Sequence, residues 1–161
     1  FDPRDALTAA LEATAVDRPT GVQLRSQIPE GPPRWMRSDR QKVVKILAKL
    51  VGNAYKFTSH GEVRVSVQVL NDLARFTVSD TGIGIPPAAH QFVFDEFRQV
   101  DGSTTRPYGG SGLGLALSRQ LARLLGGDIQ LESAPQEGSS FVVEIPLEFN
   151  HDLQPAVTAP G

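Results

Sequence analysis

A glycine-rich stretch, residues 109–115 (GGSGLGL), directly precedes an apolar segment that predicts a helix over residues 116–125. The free N–H groups and positive dipole end of a helix N-terminus attract anions, and glycines let a phosphate chain approach the backbone. The stretch lacks the Gly-Lys-Ser/Thr ending of a P-loop, and Leu115 stands where a dinucleotide-binding loop has its third glycine. It therefore predicts phosphate binding by a loop of neither of these kinds.

A carboxylate, Asp80, ends a predicted strand and precedes two alternating glycines, Gly82 and Gly84. Apolar side chains alternate over residues 74–78, and the same alternation points Asp80 toward the interior. Burying an unpaired carboxylate would cost several kcal/mol. Asp80 is therefore expected either to cap the backbone of its own turn or to accept a hydrogen bond from a ligand.

Three polar residues, Lys49, Asn53 and Lys56, lie on one flank of the longest predicted helix, residues 39–57. At about 100° per residue they fall within an arc of roughly 60° beside an apolar stripe. An amide and two ammonium groups are then stacked where the helix leaves the core. Alone, such a flank is typical of a solvated helix edge.

The elements that position these groups follow from hydrophobic periodicity and turn signals. Apolar residues at helical spacing predict a first helix over residues 4–15, and alternation predicts a strand over residues 22–28. A hairpin is expected over residues 62–80, with a turn at residues 71–72. The final strands are predicted over residues 128–132 and 141–147, with residues 138–140 as their turn.

Two further expectations concern the segment before the long helix. Ser38 or Asp39 can cap this helix, because both side chains accept hydrogen bonds from backbone N–H groups. Trp35 is expected to cover the core, since tryptophan is largely buried in most proteins.

Composition limits the classes of function. A chain of 161 residues with 40% hydrophobic residues fits one globular domain with short tails. A net charge of −2 without a basic run argues against a nucleic-acid surface, and the lack of cysteine excludes disulfides and thiolate chemistry. No apolar run is long enough to cross a bilayer, so we expect no direct membrane contact. Because the chain starts without Met, we expect a piece of a longer protein.

Four motifs follow one another along the chain: residues 53–58 (NAYKFT), 80–85 (DTGIGI), 94–99 (FDEFRQ) and 109–118 (GGSGLGLALS). In this order the chain resembles the ATP-binding catalytic domain of sensor histidine kinases, within the wider group of gyrase, mismatch-repair and heat-shock-chaperone ATPases. The resemblance spans residues 1–148 and implies a two-layer α/β sandwich: a mixed, mainly antiparallel sheet of about five strands, with helices on one face and a flexible ATP lid. Residues 149–161 would be a tail or linker.

The resemblance implies ATP and Mg²⁺ as cofactors and assigns roles to individual residues. Asn53 matches the magnesium ligand, Lys56 a phosphate contact and Phe57 an aromatic residue beside the nucleotide. Asp80 matches the acceptor for the adenine amino group, and Arg98 and Arg106 could each reach the γ-phosphate or be a solvated charge. The other matched positions are Gly82, Gly84 and Ile85 at the adenine, Ser139 at the base through water, Arg106 beside the lid, and Gly110, Ser111, Gly112, Leu113 and Gly114 in the phosphate loop.

The implied reaction transfers the γ-phosphoryl group of ATP to a histidine on a separate helical dimerisation domain, and from there to the receiver domain of a response regulator. His60, His90 and His151 lack the setting of the family's phosphoacceptor, so we expect the acceptor outside this chain. Phe94 and Phe97 match the aromatic pair that anchors the lid and faces the phosphoacceptor domain, with ordinary core filling as the alternative. We expect a cytoplasmic location, with any membrane anchor in segments outside this chain.

One position departs from the family pattern. Lys49 stands where histidine kinases usually carry Asn and the related ATPases carry a water-activating Glu. A charged lysine accepts no proton and competes with Mg²⁺ for phosphates, which disfavours hydrolysis of the clamp-ATPase kind. Beside an active histidine kinase domain, the alternative is therefore a nucleotide-binding regulatory module with weak or no kinase activity.

Overall fold

The computed structural model describes residues 1–32, 34–82, 112–134 and 138–148. Its helices are α1 (Pro3–Ala13), α2 (Arg40–Phe57) and α3 (Gly112–Leu124), with a short 3₁₀ turn at Ala15–Asp17. No helix within these ranges is long and apolar enough to cross a membrane.

Five strands complete the fold. They are β1 (Val22–Gln27), β2 (Gly61–Leu70), β3 (Leu73–Asp80), β4 (Asp128–Ala134) and β5 (Gly138–Pro146). They form one sheet in the order β1-β2-β3-β5-β4, with β1 parallel to β2 and all other neighbours antiparallel. The predicted mixed, mainly antiparallel sheet is confirmed.

The helices pack on one face of this sheet, with α2 in the middle between α1 and α3. The predicted apolar stripe of α2 is buried, because its residues recur every three or four positions and so share one face. Alternate residues of β2, β3 and β5 point at the same core. The principal core residues are Val43, Ile46, Leu47, Leu50 and Val51 of α2, with Val63, Val65, Phe76, Val78, Val143 and Ile145 of the sheet.

Local capping fixes where the first two helices begin. The Asp2 carboxylate accepts a hydrogen bond from the Arg4 backbone N–H at 2.8 Å, with Pro3 in the first helical position. Of the two candidate caps for α2, Asp39 is the one used, since it accepts from the Lys42 N–H at 3.1 Å.

Trp35 does not cover the core, and this expectation is wrong. Its side chain is 67% exposed, whereas its neighbour Met36 is 4% exposed. Met36 is held by two backbone hydrogen bonds to Phe1, one in each direction. Successive side chains of an extended segment point to opposite sides, so burying Met36 turns Trp35 toward solvent.

Two predicted boundaries also differ. Residues 138–140 are the start of β5 rather than a turn, because Gly138 and Ser139 pair with Ala134 and Ser133 of β4. Helix α3 begins at Gly112, four residues before the predicted start. Both misplacements come from reading glycine and serine as breakers where tertiary pairing or a helix start overrides that preference.

Candidate functional site

The polar flank of α2 is not a uniform solvated edge. Lys49 and Lys56 are exposed, but Asn53 between them is only 5% exposed. Its Nδ2 atom is buried and has no hydrogen-bond partner in the described part of the protein. An unsatisfied buried polar atom costs about 1–3 kcal/mol. The Asn53 amide is therefore available to a ligand.

A cleft of about 510 Å³ lies over this flank. One side is formed by α2 and the other by the end of α1 and the 3₁₀ turn that follows it. Three ammonium groups face a single carboxylate there, so the cleft favours an anion. The lining residues are Thr14, Asp17, Lys45, Ala48, Lys49, Gly52, Asn53, Tyr55 and Lys56.

Asp80 lies at the end of β3, in the middle of the sheet, and its side chain points inward as predicted. The residue is 8% exposed and stands opposite Val63 of β2 and Ser139 of β5. One carboxylate oxygen accepts a hydrogen bond from the Gly82 N–H at 2.9 Å, so Asp80 does cap its own turn. Burial raises the pKa of Asp80, while the Gly82 and Ser139 N–H groups oppose the rise. The Thr58 hydroxyl lies nearby, but it makes no hydrogen bond among the described residues.

Capping its own turn does not use all the hydrogen-bonding positions of the Asp80 carboxylate. An ionised carboxylate offers about four lone-pair positions, and the Gly82 and Ser139 N–H groups occupy at most two of them. A further donor, such as an amino group of a ligand, would favour the ionised form that burial disfavours. The two alternatives considered for Asp80 are therefore compatible.

Gly82 brings the turn after β3 against the end of α2. A Cβ atom at this position would lie 2.2 Å from the Phe57 carbonyl oxygen and 2.8 Å from the Thr58 hydroxyl. Only a glycine allows this approach. The close contact joins the Asp80 motif to the C-terminal end of the helix that carries Asn53.

The first turn of α3 contains three predicted phosphate-loop residues, Gly112, Leu113 and Gly114. The first four N–H groups of an α-helix have no partner within the helix. These three residues therefore carry backbone N–H groups that the helix itself leaves without partners, at the positive end of α3, where an anion is favoured.

Several predicted site residues lie outside the described residues. They are Gly84, Ile85, Arg98, Arg106, Gly110 and Ser111, together with Phe94 and Phe97 of the lid motif. Their roles, like those of the described site residues, remain predictions.

Three residues of the site were not predicted. Asp17 faces the cleft from the 3₁₀ turn, and Thr58 lies beside Asp80. Gly138 has φ +83°, and a Cβ there would lie 1.9 Å from the Asp80 carbonyl oxygen. Thr58 could have been predicted, because it is the last residue of the motif at residues 53–58. The contacts of Asp17 and Gly138 depend on tertiary packing, which local sequence patterns do not report.

The donor set of the site suits a magnesium ion bound together with phosphates. Mg²⁺ takes hard oxygen ligands and commonly keeps waters and phosphate oxygens, with only one or two ligands from the protein. The described residues contain no group of three or more His, Cys, Asp or Glu side chains that could hold a metal alone. The buried Asn53 amide, which can turn its oxygen to the unpartnered position, fits a site of this kind.

Residues 38–149 match the model of a protein family described as "Histidine kinase-, DNA gyrase B-, and HSP90-like ATPase". The chain is 50% identical over 111 residues to the circadian input-output histidine kinase CikA of Synechococcus elongatus, covering 68% of this chain and 15% of that protein. It is 45% identical over 116 residues to the sensor histidine kinase AruS of Pseudomonas aeruginosa, covering 69% and 12%. The histidine-protein kinase BarA of Escherichia coli is 37% identical over 138 residues, covering 83% and 15%.

Solved structures share the fold. Full-length ShkA in complex with AMPPNP superposes with a TM-score of 0.77 at 28% identity, over 91% of this chain and 30% of that one. The nucleotide-free catalytic domain of the histidine kinase ThkA gives a TM-score of 0.74 at 21% identity, over 93% and 97%, a likeness of fold alone. Among the sequence relatives, the chain spans only 12% to 15% of the length of CikA, AruS and BarA.

Proposed function

The chain belongs to the family of histidine kinase-, DNA gyrase B- and HSP90-like ATPases, and we propose that it is the ATP-binding catalytic domain of a sensor histidine kinase. The observation that carries the proposal is a pair of buried polar side chains, Asn53 and Asp80, with hydrogen-bonding capacity left over. They lie on elements that meet where Gly82 contacts Phe57. A nucleotide with its metal at one end and its base at the other would satisfy both.

Asp80 is assigned to the base. Its carboxylate would accept a hydrogen bond from the adenine amino group. The Gly82 N–H, whose nitrogen lies 2.9 Å from Asp80 Oδ1, holds the side chain in place. Gly82, Gly84 and Ile85 are assigned to the pocket wall, and the position of Ser139 opposite Asp80 supports its assignment to the base through a water. Phe57 lies beside the nucleotide at the end of α2.

Asn53 and Lys56 are assigned to the phosphate end. The Asn53 oxygen would hold Mg²⁺, which when bound neutralises phosphate charge during transfer. Lys56 would contact a phosphate as a point charge, and Arg98 and Arg106 are assigned to the γ-phosphate. The phosphate chain is assigned to the backbone donors of residues 110–114, of which residues 112–114 lie in the first turn of α3.

In the proposed reaction a histidine nitrogen of a separate helical dimerisation domain attacks the γ-phosphorus. The bond between this phosphorus and the bridging oxygen breaks, and ADP leaves. Residues of this chain position the phosphates and stabilise their charge, which is the main task of the protein in phosphoryl transfer. A receiver domain would take the phosphoryl group from the histidine.

The regulatory module without kinase activity is not favoured, because the named relatives are all histidine kinases. Hydrolysis by an activated water is also disfavoured, since Lys49 stands where a general base would be needed.

The test is transfer of label from [γ-³²P]ATP, with Mg²⁺, to a cognate histidine-bearing helical domain. The unmodified chain should form phosphohistidine, and Asn53→Ala should reduce the rate about 100-fold or more, because the metal-binding oxygen is lost. Gln41→Ala is the matched control, since it removes an exposed amide near the start of the same helix.

Tight ATP binding without transfer to any helical domain would instead favour the regulatory module. Equal rates for Asn53→Ala and Gln41→Ala would refute the role of Asn53.

A further inference from the structure

We propose that Lys49 supplies the nucleotide's phosphates with part of the positive charge that Mg²⁺ otherwise provides, so that the domain holds nucleotide when the divalent cation is scarce. The inference rests on the proposed function and deepens it, because it names a regulation of the same site. It concerns a residue in which this chain differs from the family pattern.

The position of Lys49 places its charge beside the metal-binding amide. Lys49 precedes Asn53 by four residues, which is one helical turn and about 6 Å along the axis of α2. Both residues line the same cleft of about 510 Å³. Asn53 is nearly buried, whereas Lys49 is exposed and carries a long side chain that can reach along the cleft. An anion bound at Asn53 is therefore within reach of the Lys49 ammonium group.

Among the described residues, no carboxylate forms an ion pair with Lys49, although Asp17 lines the same cleft. In residues 1–32, 34–82, 112–134 and 138–148, no carboxylate lies within ion-pair distance of Lys45, Lys49 or Lys56. Lys42, on the same helix, contrasts with them, since its Nζ lies 2.7 Å from an Asp39 carboxylate oxygen. The three lysines of the cleft are thus free to bind an anion.

A buried, unpartnered group in the same cleft indicates that the anion is bound rather than merely attracted. The Asn53 Nδ2 atom is shielded from solvent and lacks a hydrogen-bond partner in the described structure. A surface made only of exposed lysines would attract many anions weakly. A buried amide flanked by ammonium groups favours a ligand with several charged oxygens. Some of these oxygens can pair with the ammonium groups while another accepts a hydrogen bond from the amide, as in a polyphosphate.

Lysine and magnesium then act on the same phosphate oxygens. An ammonium group at these oxygens stabilises metal-free nucleotide, and it repels a divalent cation placed beside it. Both effects reduce the gain in nucleotide affinity that Mg²⁺ brings. In thermodynamic terms, Lys49 lowers the coupling free energy between nucleotide and metal, and the reduction acts reciprocally on both ligands.

The test is a comparison of ATP dissociation constants measured by calorimetry with Mg²⁺ and with EDTA. The ratio of the EDTA value to the Mg²⁺ value measures the coupling directly, without any catalytic step. Lys49→Asn should raise this ratio about fivefold or more, mainly through weaker binding in EDTA. The effect should shrink as salt is raised from 50 to 500 mM, because the Lys49 side chain is exposed.

Two variants separate charge from other effects. Lys49→Arg keeps the positive charge and should leave the ratio within about twofold of the unmodified protein. Lys42→Asn makes the same exchange outside the cleft, at a lysine already paired with Asp39, and should leave the ratio unchanged.

An unchanged ratio in Lys49→Asn would overturn the inference while leaving the proposed function intact. An equal rise in Lys42→Asn would overturn it too, because the effect would then be a general one of net charge. Failure of the unmodified protein to bind ATP under either condition would instead remove the proposed function itself.

Discussion

Gly138 is the position where one added methyl group should do most damage to the site. Its φ of +83° lies in the left-handed region, which costs a residue with a Cβ about 1–2 kcal/mol. The Cβ of Gly138→Ala would also lie 1.9 Å from the Asp80 carbonyl oxygen, against a practical minimum of 3.0 Å, so the strands must separate by at least 1.1 Å (3.0 minus 1.9).

The separation falls where β5 pairs with the end of β3, so it should weaken adjoining ladder hydrogen bonds at about 1 kcal/mol each. Together with the conformational cost, we expect the free energy of unfolding to fall by about 3 kcal/mol. With a urea dependence of about 2 kcal/mol per molar, the unfolding midpoint should fall by about 1.5 M. Because Asp80 moves with its carbonyl group, ATP affinity should fall as well.

Gly31→Ala is the matched control for this prediction. Gly31 has φ +130°, but no atom of the described residues lies within 4 Å of the position its Cβ would take. It should show the conformational cost alone, about 1–2 kcal/mol, and normal ATP binding. Urea unfolding followed by circular dichroism, with ATP binding measured in parallel, decides the matter. Equal losses of stability in the two variants would refute the argument from close approach.

Two other substitutions test different parts of the site. Asp80→Asn should weaken ATP binding roughly 10- to 100-fold, because an amide donor would face the adenine amino group, yet it should raise the ligand-free stability by about 1 kcal/mol at pH 7. The pKa of Asp80 is raised in the folded protein, so protonated Asp80 contributes to the free energy of unfolding. This contribution is fully present below the unfolded-state pKa of about 4, and it is lost as the pH rises through the folded-state pKa. The advantage of Asp80→Asn in urea unfolding should therefore grow over this interval, and an advantage that shrinks with rising pH would contradict the assignment. Gly52→Ala should raise the free energy of unfolding by about 0.5–1 kcal/mol, and with it the melting temperature. Gly52 lies inside α2, and no atom of the described residues is within 4 Å of the position its Cβ would take. A lower melting temperature would count against this prediction.

The fold was predictable from the sequence because its elements are long and strongly periodic. The apolar stripe of α2 and the alternation in β2 and β3 each determine one buried face, and the two-residue turn at Asn71 and Asp72 determines their register. In such segments local preference and tertiary packing agree, so a pattern suffices.

The site was only partly predictable. The inward direction of Asp80 followed from alternation, but the burial of Asn53 did not, since helical spacing placed it on a polar flank with two exposed lysines. Asp17 reaches the cleft through the packing of α1 on α2, a contact between distant residues that no local pattern encodes. The expectation for Trp35 was wrong for the same reason. Its direction is determined by the hydrogen bonds between the backbone of its neighbour Met36 and that of Phe1, which is distant in sequence.

The pairing of Asp80 with Ser139 has a consequence for how this domain folds. The β2–β3 hairpin and the β4–β5 pair join residues close in the chain, whereas Asp80 and Ser139 are 59 positions apart (139 minus 80). Closing a long loop is slow, but its entropic cost grows only by about 0.6 kcal/mol for each doubling of length. We therefore expect the strand pairing of Asp80 with Ser139, and with it the proposed base end of the site, to form late in folding.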